Sequence, residues 1–108
     1  MHPNESIAPI KRAAISDADG TADIVAAVTG KSIRVLALAV TIITANGTLK
    51  WQCGASTDLT GAMPFGASAG MVLPYNPVGW FQTVQGEKLN SVGATTGAIA
   101  GLVVYQEV

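Results

Sequence analysis

The residues that could perform chemistry are few and scattered. The 108 residues include one histidine, one cysteine and seven acidic residues. His2 has no second histidine beside it, and a metal site needs several ligands at set spacings. Ser56 and Thr57 have no histidine to act as their base, as hydrolysis by a nucleophilic hydroxyl requires. We therefore expect no catalytic residue, no metal ligand and no cofactor.

The carboxylates make two arrangements that could bind an ion or react. Asp17, Asp19 and Asp23 have the spacing of early calcium-loop positions, but the acidic residue that completes such a loop is missing. Residues 17–20 read Asp-Ala-Asp-Gly, which is typical of a tight hairpin turn. Asp58 and Glu87 would have to lie within a few ångströms of each other to act as a glycosidase pair. Nothing in the sequence singles them out, so we interpret all five carboxylates as structural.

Cys53 is the one thiol of the chain, so no internal disulfide can form. A lone cysteine in an apolar run is typical of a small buried hydrophobe. An intermolecular disulfide or a reactive thiol is the alternative. The glycine-rich segment 66–70 precedes neither a helix nor a Lys-Ser/Thr pair, so we do not interpret it as a phosphate-binding loop.

The composition excludes several classes of protein. Apolar residues make up 49% of the chain and charged residues 12%, which excludes a disordered protein. The net charge is −1 and the basic residues are dispersed, so we expect no nucleic-acid partner. The longest apolar stretch, 33–43, is shorter than the ~20 residues of a membrane-spanning helix. The polar N-terminus does not resemble a signal peptide. We expect no membrane partner and synthesis in the cytoplasm.

Short apolar runs separated by Gly, Pro, Asn and Asp predict an all-β chain. We predict strands over 10–16, 21–28, 32–44, 49–53, 69–75, 87–92 and 98–108, with shorter extended pieces at 59–65 and 80–86. Seven or eight strands at this spacing favour a jelly-roll-like antiparallel β-sandwich. Residues 10–108 form this single domain. Residues 1–9, which contain two prolines, form an N-terminal arm that we expect to become ordered against a neighbour.

Strand 32–44 is apolar at both its odd and its even positions. We therefore predict that both of its faces are covered, one by the opposing sheet and the other by a partner subunit or a loop of the same chain. Asn46-Gly47 follows it and favours a type I′ hairpin turn into the next strand. In that strand, Leu49, Trp51 and Cys53 alternate with polar residues and should share one face.

The aromatic residues allow three interpretations: core, subunit or partner interface, and sugar-stacking platform. Trp80 and Phe81 are adjacent, so in a strand one of them should point away from the core. Low charge and many small residues predict that part of the surface is buried against other chains, in a homo-oligomer that is a trimer or, as runner-up, a dimer. The alternative is a monomer with a featureless surface. The candidate oligomer or capsid interface comprises Pro3, Asn4, Ile7, Pro9, Tyr75, Trp80 and Phe81.

Several motifs between residues 30 and 108 resemble a known group of proteins. The elements are Gly30-Lys31-x-Ile33-x-Val35, Trp51-x-x-Gly54-x-x-Thr57-Asp58-Leu59-Thr60-Gly61-x-Met63-Pro64, Asn76-Pro77-x-Gly79-Trp80-Phe81, Gly86-Glu87-x-Leu89-Asn90 and Gly101-x-Val103-x-Tyr105. In this order they resemble the capsid decoration (cement) proteins and related minor structural proteins of tailed bacteriophages. Most of the matched residues are turn glycines, prolines and aromatics, and Cys53 is not required by the pattern.

The resemblance implies a jelly-roll-like sandwich on the virion surface without enzymatic activity. It implies the major capsid protein as partner and leaves no catalytic residues to transfer. The resulting hypothesis is a structural protein that binds and stabilises the outside of a phage capsid. The alternative is a carbohydrate-binding module of a virion or secreted protein that stacks sugars on Trp80 or Tyr75.

Overall fold

The fold is entirely β. The computed structural model describes residues 9–43, 46–54, 56–94 and 97–108. These residues include no helix, and so none long and apolar enough to cross a membrane. The strands are β1 (Ile10–Asp17), β2 (Ala22–Val25), β3 (Ile33–Ile42), β4 (Gly47–Cys53), β5 (Thr57–Asp58), β6 (Met63–Phe65), β7 (Gly70–Leu73), β8 (Phe81–Gln82), β9 (Leu89–Ala94) and β10 (Ile99–Glu107).

The strands form two sheets in the order of a jelly roll. Sheet A has the order β1-β10-β3-β7, with β8 also on β3, and sheet B has the order β2-β9-β4-β5, with β6 also on β4. β7 and β8 share one edge of β3, and β5 and β6 share one edge of β4, so ten segments fill eight strand positions. Along the chain, these eight positions alternate between the two sheets, except that β4 is followed by β5 and β6 in the same sheet. The predicted jelly-roll-like antiparallel sandwich is confirmed, with two of its strands each broken in two.

The core lies between the inner faces of the two sheets. Leu49, Trp51 and Cys53 of β4 are fully buried, as their alternation with polar residues predicts. Val103 of β10 faces them from sheet A and is also fully buried. Burial of each large apolar side chain contributes roughly 1.5–3 kcal/mol, so this inner layer holds the sheets together.

β3 changes the face that it presents to the core partway along its length. Its core residues are Ile33, Val35, Leu38, Val40 and Ile42. The pairing of β3 with β10 shifts between Val104 and Tyr105, so Leu36 is the extra residue of a β-bulge. The bulge moves the inward positions from odd to even numbers. The bulge therefore explains why buried apolar residues occupy both odd and even positions of strand 32–44, whereas Ala37 and Ala39 lie on the outer face. The segment after β7 is hydrogen bonded to the backbone beside Leu36.

The predicted hairpin at Asn46-Gly47 is wrong. β3 belongs to sheet A, whereas β4 begins at Gly47 in sheet B, so the two strands that flank this dipeptide do not pair. The side-chain oxygen of Asn46 instead accepts a hydrogen bond from the backbone N–H of Ala67, at 2.8 Å. Asn-Gly here reverses the chain between sheets because burial of both strands' apolar faces outweighs local pairing.

The turn after β1 forms as predicted but joins different sheets. The carboxylate of Asp17 accepts hydrogen bonds from the backbone N–H groups of Asp19 and Gly20, at 3.1 and 2.9 Å. The carboxylate of Asp19 accepts the N–H of Thr21, at 2.9 Å. These acidic side chains therefore satisfy backbone donors of a turn. The turn connects β1 of sheet A to β2 of sheet B and is not a hairpin.

Candidate functional site

The reactive side chains do not assemble into a chemical site. Within the described ranges, no three His, Cys, Asp or Glu side chains come together as a metal site would need. Asp58 accepts a hydrogen bond from Gln52, at 2.6 Å, while Glu87 accepts one from the thiol of Cys53, at 3.4 Å. The two carboxylates thus have separate partners, each of which explains its position structurally.

Cys53 is buried at the end of β4 with no exposed surface. Burial raises the pKa of its thiol, and the adjacent carboxylate of Glu87 acts in the same direction. A neutral buried thiol is a poor nucleophile. The prediction that Cys53 is a small buried hydrophobe is therefore confirmed for the folded chain.

The outer face of sheet B is polar, as is usual for the solvated side of an antiparallel sheet. Gln52 and Lys50 point outward from β4, and both contact Asp58 across the β4–β5 pair. The hydrogen bond from Gln52, followed by that from Lys50, lowers the pKa of Asp58. At the other edge, Lys88 pairs with Asp23, at 2.6 Å. Charged and amide groups thus cover sheet B.

The outer face of sheet A is mostly apolar in its central rows. Its end row is polar apart from Ile10 and contains Gln106, Arg34 and Gln82. The register of its four strands aligns Ala14 of β1, Leu102 of β10, Ala39 of β3 and Val72 of β7 in one cross-strand row. Val72 is 72% exposed and Leu102 is 43% exposed. The outward residues of the central rows, which we call outer face A, are Arg12, Ala14, Ser16, Ala37, Ala39, Thr41, Gly70, Val72, Ala100, Leu102 and Val104.

Arg12 is the one charged side chain among these residues of outer face A. The contrast with sheet B follows from the sequence of the strands. β10 and β3 are apolar at nearly every position, so each presents apolar side chains outward as well as inward. Four strands from distant parts of the chain together create a surface that water solvates poorly.

The segment between β7 and β8, residues 74–80, extends this surface at the edge of β3. We call it the aromatic loop. The backbone N–H groups of Asn76 and Trp80 donate to the carbonyls of Leu36 and Val35, each at 2.8 Å. The indole N–H of Trp80 donates to the carbonyl of Pro74, at 2.7 Å. The loop is therefore held to the β-bulge, and its tryptophan ring is held in one orientation.

The aromatic loop presents three large apolar side chains to solvent. Tyr75 is 56% exposed, Val78 79% and Trp80 44%. Phe81, in contrast, packs against the core. The prediction that the adjacent Trp80 and Phe81 point in opposite directions is confirmed.

None of the exposed large hydrophobic residues of the described chain lies in a strand of sheet B. Each lies in a strand of sheet A, one or two residues after such a strand, or in the segment between β7 and β8. They are Ile10, Ile43, Val72, Tyr75, Val78, Trp80, Val84 and Leu102. Because sheet B contributes none, this asymmetry marks the side of sheet A as the candidate attachment surface.

The residues predicted for an interface differ in their exposure. Tyr75 and Trp80 lie on the exposed side, and Pro9 is exposed directly before β1. Phe81 is a core-packing residue, so its predicted place in an exposed interface is not supported by its contacts. The predicted interface residues of the N-terminal arm, Pro3, Asn4 and Ile7, lie outside the described residues.

Sequence reasoning predicted a second apolar face on strand 32–44 but not the other strands that extend it into outer face A. Leu102 lies in an apolar run with Val103 and Val104, so its orientation cannot be assigned from alternation alone. Only the strand register places it beside Ala39 and Ala14. The sequence did indicate this face in one respect, because β3 and β10 contain more apolar residues than a single core face requires.

The described residues thus offer an extended apolar surface on sheet A, with a concavity between β1 and β10 lined by Arg12, Ala14 and Leu102, and with a fixed aromatic group at its edge. An extended apolar sheet face suits contact with another macromolecule. Comparison with known protein families, with curated protein sequences and with solved structures gives no significant match to this chain.

Proposed function

We propose that this chain is a non-enzymatic virion structural protein that binds the outer surface of a phage capsid and stabilises it. Outer face A and the aromatic loop contact the major capsid protein in this proposal. The protein is made in the host cytoplasm and ends on the capsid surface. The observation that carries the proposal is the distribution of the exposed large hydrophobic side chains among the described residues. They include Val72 and Leu102 of outer face A and three residues of the aromatic loop, and none lies in a strand of sheet B.

Physical chemistry supports an attachment role for this side. Burial of apolar surface drives association, and contiguous exposed apolar patches are characteristic of interaction sites. The aromatic loop adds a tryptophan and a tyrosine, the residue types that contribute most to binding at interfaces. A protein that binds only the assembled shell shifts the equilibrium toward the shell and so stabilises it. The motif resemblance to capsid decoration proteins supports the same assignment.

The test is co-sedimentation of the purified chain with capsids assembled from the major capsid protein of the same genome. Val72→Glu places a charge in outer face A, at a position that is 72% exposed. Val92→Glu is the matched control, because Val92 points outward from sheet B and lies opposite Lys50. We expect Val72→Glu to weaken capsid binding at least about tenfold and Val92→Glu to leave it unchanged.

Capsid stability gives an independent readout. Capsids that carry the chain should disassemble at a higher temperature than bare capsids, and Val72→Glu should reduce this gain. Absence of binding by the unmodified chain would contradict the proposal. Equal loss of binding in Val72→Glu and Val92→Glu would contradict the assignment of the surface to sheet A.

A carbohydrate-binding module is the second candidate, supported by the geometry of Trp80. Trp80 is 44% exposed and its indole N–H donates to the carbonyl of Pro74, while Tyr75 lies in the same loop. Fixed exposed aromatic rings can stack on sugars. A glycan array distinguishes the two functions. Sugar binding that is abolished by Trp80→Ala and unaffected by Val72→Glu would favour the module over the capsid protein.

A further inference from the structure

The four edges of the two sheets differ in how they are protected from pairing with another chain. β2 has four residues and an irregular register. The edge made by β5 and β6 is interrupted and contains Pro64, and the edge made by β7 and β8 is interrupted by the aromatic loop. Breaks, short strands and prolines of this kind prevent edge-to-edge association.

β1 lacks these breaks and prolines, although it carries Lys11 and Arg12, and charged side chains are another means of protecting an edge. It runs for eight residues without proline and pairs with β10 in an unbroken register from Ile10 to Asp17. On its other side, no strand among the described residues pairs with it. Its backbone groups on that side are therefore a template for a further antiparallel strand.

We propose that the free edge of β1 pairs with β1 of a second copy of this chain, making a twofold dimer with one continuous sheet A. The partner is a second copy because the side chains of β1 are complementary to those of a second β1 that runs in the opposite direction. Antiparallel pairing about Ala14 places Lys11 opposite the second copy's Asp17 and Arg12 opposite its Ser16. Opposite charges at facing positions stabilise an antiparallel pair, and like charges destabilise it.

Other symmetric registers are less complementary. Pairing about Ala13 would place Lys11 opposite Ile15 and leave the charges unmatched. Pairing about Arg12 would place two guanidinium groups opposite each other. Pairing about Ala14 also allows close approach, because the residue on the axis is small. Lys11 already pairs with Glu107, at 2.8 Å, but an ammonium has three donors and can contact both carboxylates.

The twofold axis of such a pair is perpendicular to the sheet, so facing residues lie on the same side of it. The outward residues Arg12, Ala14 and Ser16 of both copies therefore share one surface. Two copies of outer face A become continuous across the axis. A dimer of this kind would bind a larger partner bivalently, but the inference does not depend on what outer face A binds.

The oligomer experiment compares two variants that add the same charge to the same face of β1. Ala14→Asp places two carboxylates opposite each other on the axis. Ser16→Asp places each new carboxylate opposite Arg12 of the second copy. Both positions are exposed in the single chain, so both variants should fold. Equal changes in net charge make each variant the control for the other.

Sedimentation equilibrium of the full chain at tens of micromolar should detect a dimer. We expect Ala14→Asp to weaken dimerisation at least about tenfold and Ser16→Asp to strengthen it several-fold. Melting curves of both variants verify folding, and if Ala14→Asp fails to fold, the strengthening by Ser16→Asp still decides the question. A monomer for both the unmodified chain and Ser16→Asp, equal effects of the two substitutions, or a trimer without a dimer would overturn the proposal. Capsid co-sedimentation is measured separately, so failure of dimerisation and failure of capsid binding are distinguishable.

Discussion

Val35 and Leu38 face the same core, although they are three positions apart in one strand. Regular alternation would place them on opposite faces. The β-bulge at Leu36 reconciles the two, because it adds one residue to β3 between the partners of Tyr105 and Val104. The aromatic loop is hydrogen bonded to the backbone at this bulge, so an irregularity of the central strand also positions the exposed Trp80.

Leu36 should be essential for stability although it lies outside the central core cluster. It has no exposed surface, and truncation to alanine would leave a cavity beneath the segment at the bulge. We expect Leu36→Ala to lower the free energy of unfolding by about 2–5 kcal/mol. Leu102→Ala is the matched control, because this leucine is 43% exposed, and it should cost less than about 1 kcal/mol. Chemical denaturation measures both values, and equal costs would contradict the burial of Leu36.

Gly101 should not tolerate a side chain. A Cβ at this position would collide with the backbone carbonyl of Ala39 on the neighbouring strand. Because backbone cannot move aside without breaking the β10–β3 ladder, we expect Gly101→Ala to destabilise the fold by about 1–3 kcal/mol.

Gly61→Ala provides the control for this substitution. No atom lies within 4 Å of a Cβ built at Gly61, so this change should alter stability by less than about 0.5 kcal/mol. Thermal melts of the two variants make the comparison. A melting temperature for Gly101→Ala equal to that of the unmodified chain would show that β10 and β3 lie farther apart than described.

Cys53 should react only when the chain unfolds. Its thiol is buried, and burial raises its pKa above the ordinary value of 9.0. Alkylation with iodoacetamide at neutral pH should therefore follow the rate of opening. Ala94→Cys adds an exposed thiol on the same sheet and should label at once. Immediate labelling of Cys53 in the folded chain would contradict its burial.

The raised pKa of Cys53 also predicts an alkaline effect on stability. A thiol whose pKa is higher in the folded chain than in the unfolded chain contributes stability that is fully present below the unfolded pKa, about 9. This contribution is lost as pH rises through the folded pKa. The free energy of unfolding should thus fall in this alkaline range. Cys53→Ala should lack this part of the decline, and identical alkaline slopes in the two proteins would refute the assignment.

Asp58 should contribute to stability with the opposite dependence on pH. The hydrogen bond from Gln52 and the contact with Lys50 lower its pKa below the ordinary value of 3.8. The contribution of Asp58 to the free energy of unfolding is present above the unfolded pKa and is lost as pH falls through the folded pKa. Asp58→Asn should therefore flatten the acid decline of the melting temperature below about pH 4. Because this group is exposed, we expect a small effect, and an unchanged acid slope would argue against it.

Local sequence predicted much of the secondary structure and part of the core. Apolar and polar residues alternate around Trp51, so its burial in β4 followed from periodicity alone. Adjacent residues of a strand point to opposite faces, so one of Trp80 and Phe81 had to leave the core. The acidic turn at 17–20 was also predictable, since Asp17 can satisfy backbone donors two and three residues ahead. These are interactions between near neighbours, which residue type and spacing encode directly.

Only the tertiary structure decided which strands pair and which face of an apolar strand is exposed. Asn46-Gly47 indicated a hairpin, yet its flanking strands lie in opposite sheets, because each buries its apolar face best in the sandwich. The row from Ala14 through Leu102 to Val72 joins residues far apart in sequence, and its existence depends on the register of four strands. Extension and turns are local properties of a chain, whereas pairing and burial depend on segments that meet only when it folds.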